Sequence, residues 1–353
     1  MNKIPFISLL TMCLFLTLGM ADAADYPLTV TDSAGRSVMI EAPIEKIVVL
    51  NSDAAEAVSI LGETDKIVGT TDSVPKYKAY YFSDVMGGWE IVGTWKEFNY
   101  EKIADLARDD DGEIGPGMLV ICYANKAAEV EENLGPFEKI DIVGLDLYNA
   151  ETLEEEMTAL GEILDRESDA EDYNDWVSEK KADVAEAVSG QERPRVYVEG
   201  GSIGELGSLW TYGRESSLND MIYLAGGENV IDVNEANPKV DWESVLAQMP
   251  EVIIKVPAAT NQLGWSNATE MEVLIEDIQS RPGADAVPAT EDGRVYVIFR
   301  DTTLGMGAVV GLTYWAEMIH PEADLDPEEV YREYLGMRGL DYPEENFFVR
   351  PEM

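Results

Sequence analysis

Asn99-Tyr-Glu-Lys-Ile-Ala-Asp-Leu106, followed after an interruption by the apolar run Met118-Leu-Val-Ile-Cys-Tyr123, has a counterpart far down the chain. There Asp241-Trp-Glu-Ser-Val-Leu-Ala-Gln-Met249 leads through Pro250-Glu into Val252-Ile-Ile-Lys-Val256. Each copy is an aromatic residue, a glutamate, a short amphipathic helix and a buried-type strand. The apolar residues of each helix lie past the glutamate, so Glu101 and Glu243 sit at helix starts, off the core-facing side. Two such units predict two equivalent lobes, and two equivalent exposed glutamates predict matched contacts to a two-fold partner.

Upstream of the first copy, Leu28 to Ile40 alternates on both sides of a turn at Ser33 to Arg36, a β-hairpin signature. Lys46-Ile-Val-Val-Leu50 reads as a short buried strand, and Asn51-Ser-Asp53 caps a helix running to Leu61. Further strands are predicted at Ile67 to Thr70, Met118 to Tyr123 and Asp141 to Gly144, with a tyrosine-rich loop from Tyr77 to Phe82. Strands alternating with helices argue for an α/β lobe with a largely parallel sheet.

Between the two copies stand two capping boxes, Thr152 with Glu155 and Ser168 with Glu171. The second opens a helix running to about Ser189, a natural connecting strut. A second α/β series begins at Arg195-Val-Tyr-Val198. It continues through helices at Ser217 to Ala225, Glu270 to Ile278, Ala308 to Ile319 and Pro327 to Leu335, with a late strand from Arg294 to Phe299. The predicted fold class is α/β: two Rossmann-like lobes joined by one long α-helix, with a ligand cleft between them. The organisation is an export signal over residues 1–23, a hairpin over 24–43, an N-terminal lobe over 44–167, the connecting helix over 168–190, a C-terminal lobe over 194–340 and a tail over 341–353.

The 353 residues include 69 acidic and 25 basic side chains, a formal net charge of −44. That balance excludes a general nucleic-acid surface, which needs clustered Lys and Arg. The acid is spread through both halves and reads as a hydrated, repulsive surface that favours a soluble monomer. Lys3, the apolar stretch Ile4 to Met20 and Ala21-Asp-Ala23 form an export signal with a small-x-small cleavage site, placing the protein outside the cytoplasm. Cys13 lies in that segment. Cys122 is then the only other cysteine, which excludes an internal disulfide in the exported chain, and its apolar strand makes it a small buried hydrophobe.

The order of these motifs resembles the substrate-binding proteins of ABC importers for metal chelates, the group serving ferric siderophores, haem and cobalamin. The resemblance rests on Asp32-Ser-Ala-Gly-Arg36 with Ile47-Val-Val-Leu50, on Val92-Gly-Thr-Trp-Lys-Glu-Phe-Asn-Tyr-Glu101, and on Val240-Asp-Trp-Glu243 with Pro250-Glu-Val-Ile-Ile254. It implies an exported receptor that captures a chelate and makes or breaks no bond. It implies docking of Glu101 and Glu243 on arginines of two membrane subunits, and no resident cofactor, since the ligand brings its own metal. The chain departs from the family pattern in the acidic insertion Arg108 to Gly117 and in lacking a lipobox around Cys13.

Open α/β sheets bind ligands at the carboxyl ends of their strands. That rule selects Asn51, Ser52 and Asp53 after the first strand, Thr94 and Trp95 before the first glutamate helix, and Tyr123 and Asn125 after the next strand. From the second lobe it selects Trp210, Tyr212 and Arg214, and Arg300 and Asp301 after the late strand. Aromatic walls suit a bulky chelate, and a scarce arginine such as Arg300 suits an anionic edge. His320, before Pro321 at a helix end, is expected to be structural, and one isolated histidine argues against a bare Zn²⁺ or Mn²⁺ receptor. The alternative is a serine hydrolase, because Gly200-Gly-Ser-Ile-Gly204 places Ser202 in a Gly-x-Ser-x-Gly turn after a strand.

Overall fold

A computed structural model describes residues 26–137, 139–149, 152–258 and 262–350. The export signal, Cys13 and the last three residues lie outside that range. Among the described residues, no helix is long and apolar enough to cross a membrane.

The N-terminal lobe is built on a parallel sheet of Lys46–Val49, Ile67–Thr70, Glu90–Ile91, Met118–Cys122 and Ile140–Gly144. Its spatial order is Glu90–Ile91, Ile67–Thr70, Lys46–Val49, Met118–Cys122, Ile140–Gly144. The runs Met118–Cys122 and Ile140–Gly144 are wholly buried because helices cover both faces, which is why they read as continuous hydrophobic stretches rather than alternating ones. The hairpin Leu28–Thr31 and Ser37–Ile40 is pinned beside this sheet. Asp32 accepts from the Gly144 N–H at 2.9 Å, and Arg36 donates to the Ile142 carbonyl at 3.0 Å.

The C-terminal lobe repeats the plan. Glu228–Asn229, Arg195–Gly200, Val252–Val256 and Val295–Ile298 are parallel neighbours, and Val349–Arg350 closes the edge antiparallel to Val295–Ile298. The strut spans Glu167–Ala187, 21 residues, roughly 30 Å of helix. It turns Ala170, Tyr173, Trp176, Val177 and Val184 inward against a largely acidic outer face.

Three local expectations are corrected. The strut begins at Glu167 with Arg166 at its N-cap, so Ser168 lies inside the first turn; the Arg166 guanidinium is bound instead to Glu63. The Tyr77 to Phe82 stretch is not a loop. It belongs to two short helices, Ser73–Tyr77 and Ala79–Phe82, that bury Tyr81 and Phe82. Thr152 occupies an N-cap position but makes no side-chain capping bond.

Candidate functional site

Between the lobes lies a cavity of about 460 Å³. It is entered from the carboxyl ends of both sheets. From the N-terminal lobe, Ser52 and Asp53 open the helix Ser52–Ile60, Tyr77 and Lys78 follow Ile67–Thr70, and Tyr123 and Tyr148 follow the strands at Met118 and Ile140. From the C-terminal lobe come Gly201, Trp210, Tyr212, Val256 with Pro257, Arg300 and Asp301. Each lobe contributes one aromatic pair. Tyr123 and Tyr148 meet edge to face at 5.9 Å, and Trp210 and Tyr212 lie 5.9 Å apart.

The double glycine of Gly200-Gly-Ser-Ile-Gly204 has a role in this geometry. A Cβ on Gly200 would lie 2.9 Å from the Tyr212 hydroxyl, and one on Gly201 would lie 3.1 Å from the Trp210 ring. Bare backbone therefore lets both rings settle against the strand end. The same stretch does not form a nucleophile elbow. After Ser202 the chain passes through turns to the short strand Leu209–Trp210 and no helix follows directly. The Ser202 carbonyl accepts from Lys255 at 3.0 Å, and the His320 ring is engaged with the Gly226 carbonyl at 3.2 Å. Among the described residues, Ser202 thus has neither the strand-to-helix elbow nor a free histidine that a serine hydrolase would use.

The cavity floor is charged. Lys78 Nζ lies 2.7 Å from Glu56 and 3.4 Å from Asp301, and Arg338 reaches Glu56 at 3.1 Å. Tyr334 donates to the same carboxylate at 2.5 Å. Burial would raise Glu56, but Lys78 and Arg338 outweigh it and hold its carboxyl below the usual range. Asp53 has the opposite balance. Burial, with help from Glu56 and Asp301, pushes it up to about 7 against the pull of Lys78 and Arg300. Burial also raises Asp301. Lys78 is raised well above its ordinary value: burial opposes its charge, and Asp301, Glu56 and Asp53 overcome that. Among the described residues, Arg300 makes no salt bridge and acts on Asp53 only through its field, so its guanidinium is left without a direct partner in the cavity.

Of the residues selected from sequence, the structure brings Ser52, Asp53, Tyr123, Trp210, Tyr212, Arg300 and Asp301 to one cavity. Asn51, Thr94, Trp95, Asn125 and Arg214 do not line it. Asn51 is buried as the N-cap of its helix, accepting from the Ala54 N–H and donating to the Leu145 carbonyl. Thr94 accepts from the Lys96 and Glu97 N–H groups in a tight turn, and Trp95 beside it is exposed, with Lys96 4.5 Å above its ring. Asn125 is exposed on a 3₁₀ turn, and Arg214 is paired with Asp232. Sequence reasoning missed Tyr77, Lys78, Tyr148 and Pro257. The strand-end rule, extended past the strands ending at Gly144 and Val256, would have reached Tyr148 and Pro257.

Glu101 and Glu243 occupy the same helical position on the two lobes. Asn99 caps one helix by accepting from Lys102 at 3.0 Å, and Asp241 caps the other by accepting from Ser244 at 2.8 Å. In both helices the glutamate is the second residue and is exposed.

Two parallel-sheet lobes, one rigid helix between them and an aromatic cavity at their facing ends define a two-lobed solute binder. A family model described as "Periplasmic binding protein" matches residues 113–302, more than half of the chain. The chain belongs to this family of substrate-binding proteins. An "Uncharacterized ABC transporter substrate-binding lipoprotein YvrC" of Bacillus subtilis is 22% identical over 84% of this chain and 87% of its own length. A "Cobalamin-binding protein" of Halobacterium salinarum is 23% identical over 66% of this chain and 59% of its own length. The crystal structure of a TroA-like periplasmic binding protein, FepB, from Veillonella parvula superposes with a TM-score of 0.75 at 19% identity, covering 92% of this chain and 99% of that one. The resemblance and the two-lobed α/β fold read from sequence are both borne out.

Proposed function

We propose that this substrate-binding protein acts outside the cytoplasm, capturing a metal chelate in the inter-lobe cavity and delivering it to an ABC importer. The observation that carries this reading is the cavity itself: an aromatic pair from each lobe beside an uncommitted arginine. Rings offer broad apolar contact to a bulky chelate, and Arg300 offers a planar donor fork to an anionic edge. Catalysis plays no part; affinity comes from a largely preformed surface.

A ferric siderophore is the first candidate cargo, ahead of cobalamin and haem. Haem would want an axial phenolate or imidazole. His320 is buried away on Gly226, and burial holds the Tyr123 and Tyr212 hydroxyls above their ordinary values, which disfavours phenolate. Cobalamin has a named relative in its favour, but Trp95 does not line the cavity and lends it no support. The glutamates Glu101 and Glu243 serve the docking step, the protein acting as a monomer on a two-fold pair of membrane subunits.

Mass spectrometry of the natively purified protein identifies retained cargo, and tryptophan quenching by ferric siderophores, haemin and cyanocobalamin ranks the candidates. Arg300→Met is expected to weaken the best of these by about tenfold or more. Absence of binding by every class, or an unchanged affinity in the variant, would defeat the reading.

A further inference from the structure

Among the described residues, the cleft is open at one end. Past Tyr148 and Leu304, which belong to both walls, it continues into a groove of about 540 Å³. One wall of the groove is Met221 and Leu224 from the helix Ser217–Leu224. The other is Ala308, Val309 and Leu312 from the helix Ala308–Ile319. Large exposed apolar side chains gather here: Tyr148 is 44% exposed, Leu224 50% and Tyr223 62%. A cluster of this kind at the mouth of a binding cavity calls for an occupant.

The charges around the groove narrow what that occupant is. Among the described residues, Lys181 is the only basic side chain on its lining, and it is spent on Glu154 at 2.6 Å. Asp220 stands among the lining residues as well. An anionic group gains nothing here, so the fitting chemistry is uncharged hydrocarbon. A second copy of this chain is disfavoured by mutual repulsion at a net charge of −44. Continuity with the cleft through Tyr148 and Leu304 favours a single molecule that fills both spaces.

We infer that the groove receives a hydrocarbon arm, an acyl chain or alkyl tail, of the same molecule whose polar metal-binding head occupies the cleft. The inference rests on the chelate reading of the cleft and makes the cargo amphiphilic. The head sits between the aromatic pairs beside Arg300, and the arm leaves past Tyr148 to lie on Leu224 and Val309.

The test uses two probes of equal charge and identical head, N-acetyl and N-octanoyl ferric desferrioxamine B, read by quenching of tryptophan fluorescence. The octanoyl form is expected to bind about tenfold tighter or better than the acetyl form. Leu224→Glu, a change at an exposed position, should bring the two within about threefold while leaving the acetyl affinity unchanged. Leu224→Ala should give an intermediate preference. Acetyl binding without a chain-length gain, or an equal loss for both probes in Leu224→Glu, overturns the inference alone. Binding of neither probe overturns the ferric-siderophore reading of the cleft and the inference with it.

Discussion

Asp53 and Glu56 stand one helical turn apart and have opposite electrostatic fates. Asp53 is pushed up to about 7 by burial, so folding favours its protonated form. The stability tied to that proton is present below the unfolded carboxyl value and is lost as pH rises through about 7. Asp53→Asn removes the penalty of an ionised carboxylate. It is expected to raise Tm relative to the parent at pH 8.5 and to leave it nearly unchanged at pH 4.5; equal shifts at both pH values would count against the assignment. Glu56 has a lowered value, so its contribution holds above the ordinary carboxyl range and fades as pH falls through its folded value. Glu56→Ala strands Arg338 in the interior and leaves Lys78 only Asp301, at 3.4 Å. Breaking a buried pair by removing one partner costs about 3–5 kcal/mol, which denaturant unfolding at neutral pH would register; a loss below about 1 kcal/mol would show that the cluster is better solvated than its burial implies.

At the scale of elements, the two glutamate helices are short, and their orientation depends on what lies beneath them. Under Glu243, Trp242 is buried, donates to the Pro282 carbonyl at 3.0 Å and has the Arg281 guanidinium 5.0 Å from its ring. Arg281 in turn forks onto Glu199 at 2.6 and 2.8 Å, and Lys255 joins Glu199 to the Ser202 carbonyl. A continuous buried chain thus runs from the glutamate helix to the glycine turn of the cleft. Among the described residues, the helix of Glu101 has no such buried chain beneath it and carries the insertion instead, closed by a bridge between Arg108 and Ile114, with Asp109 to Glu113 exposed. Exposed ion pairs orient a complex more than they bind it. The double charge reversal Glu101→Lys with Glu243→Lys is expected to abolish uptake in a reconstituted importer while cargo affinity stays within about threefold of the parent. Normal uptake by the double variant would remove both residues from docking.

At the scale of the molecule, the lobes are joined by more than the strut. The Glu56, Lys78, Asp301 and Arg338 cluster crosses between them under the cavity, the Tyr81 and Tyr331 hydroxyls meet at 3.3 Å, and Tyr173 of the strut donates to the Met306 carbonyl at 2.9 Å. Trp176 and Lys180 of the strut both reach Glu333. Relative lobe motion would have to break buried charge pairs, so the radius of gyration in X-ray scattering is expected to change by less than about 1 Å on saturation with cargo. A larger compaction would contradict this account.

Most elements of this architecture were legible in sequence because apolar periodicity and helix-end chemistry are local. The helix Ala308–Ile319 was readable to the residue and the hairpin strands to within one residue. The strand-end rule likewise reached the residues on loops that leave a buried strand directly, such as Asp53, Tyr123 and Arg300. It failed where a distant partner decides. Arg214 is drawn out of the cleft by Asp232, and the cap at Ser168 yields to an Arg166–Glu63 pair formed across the lobe. Lys78 was invisible as a cleft residue because its segment reads as a tyrosine-rich loop, and its buried partners Glu56 and Asp301 come from opposite lobes.

The charged seam under the cavity also bears on time course. A vessel fixed at its base and open at its mouth has no slow closing step to wait for. Cargo capture should therefore follow a single exponential in stopped-flow fluorescence, with an observed rate that climbs in proportion to cargo concentration and reaches no plateau. Residence time is then set by the walls alone.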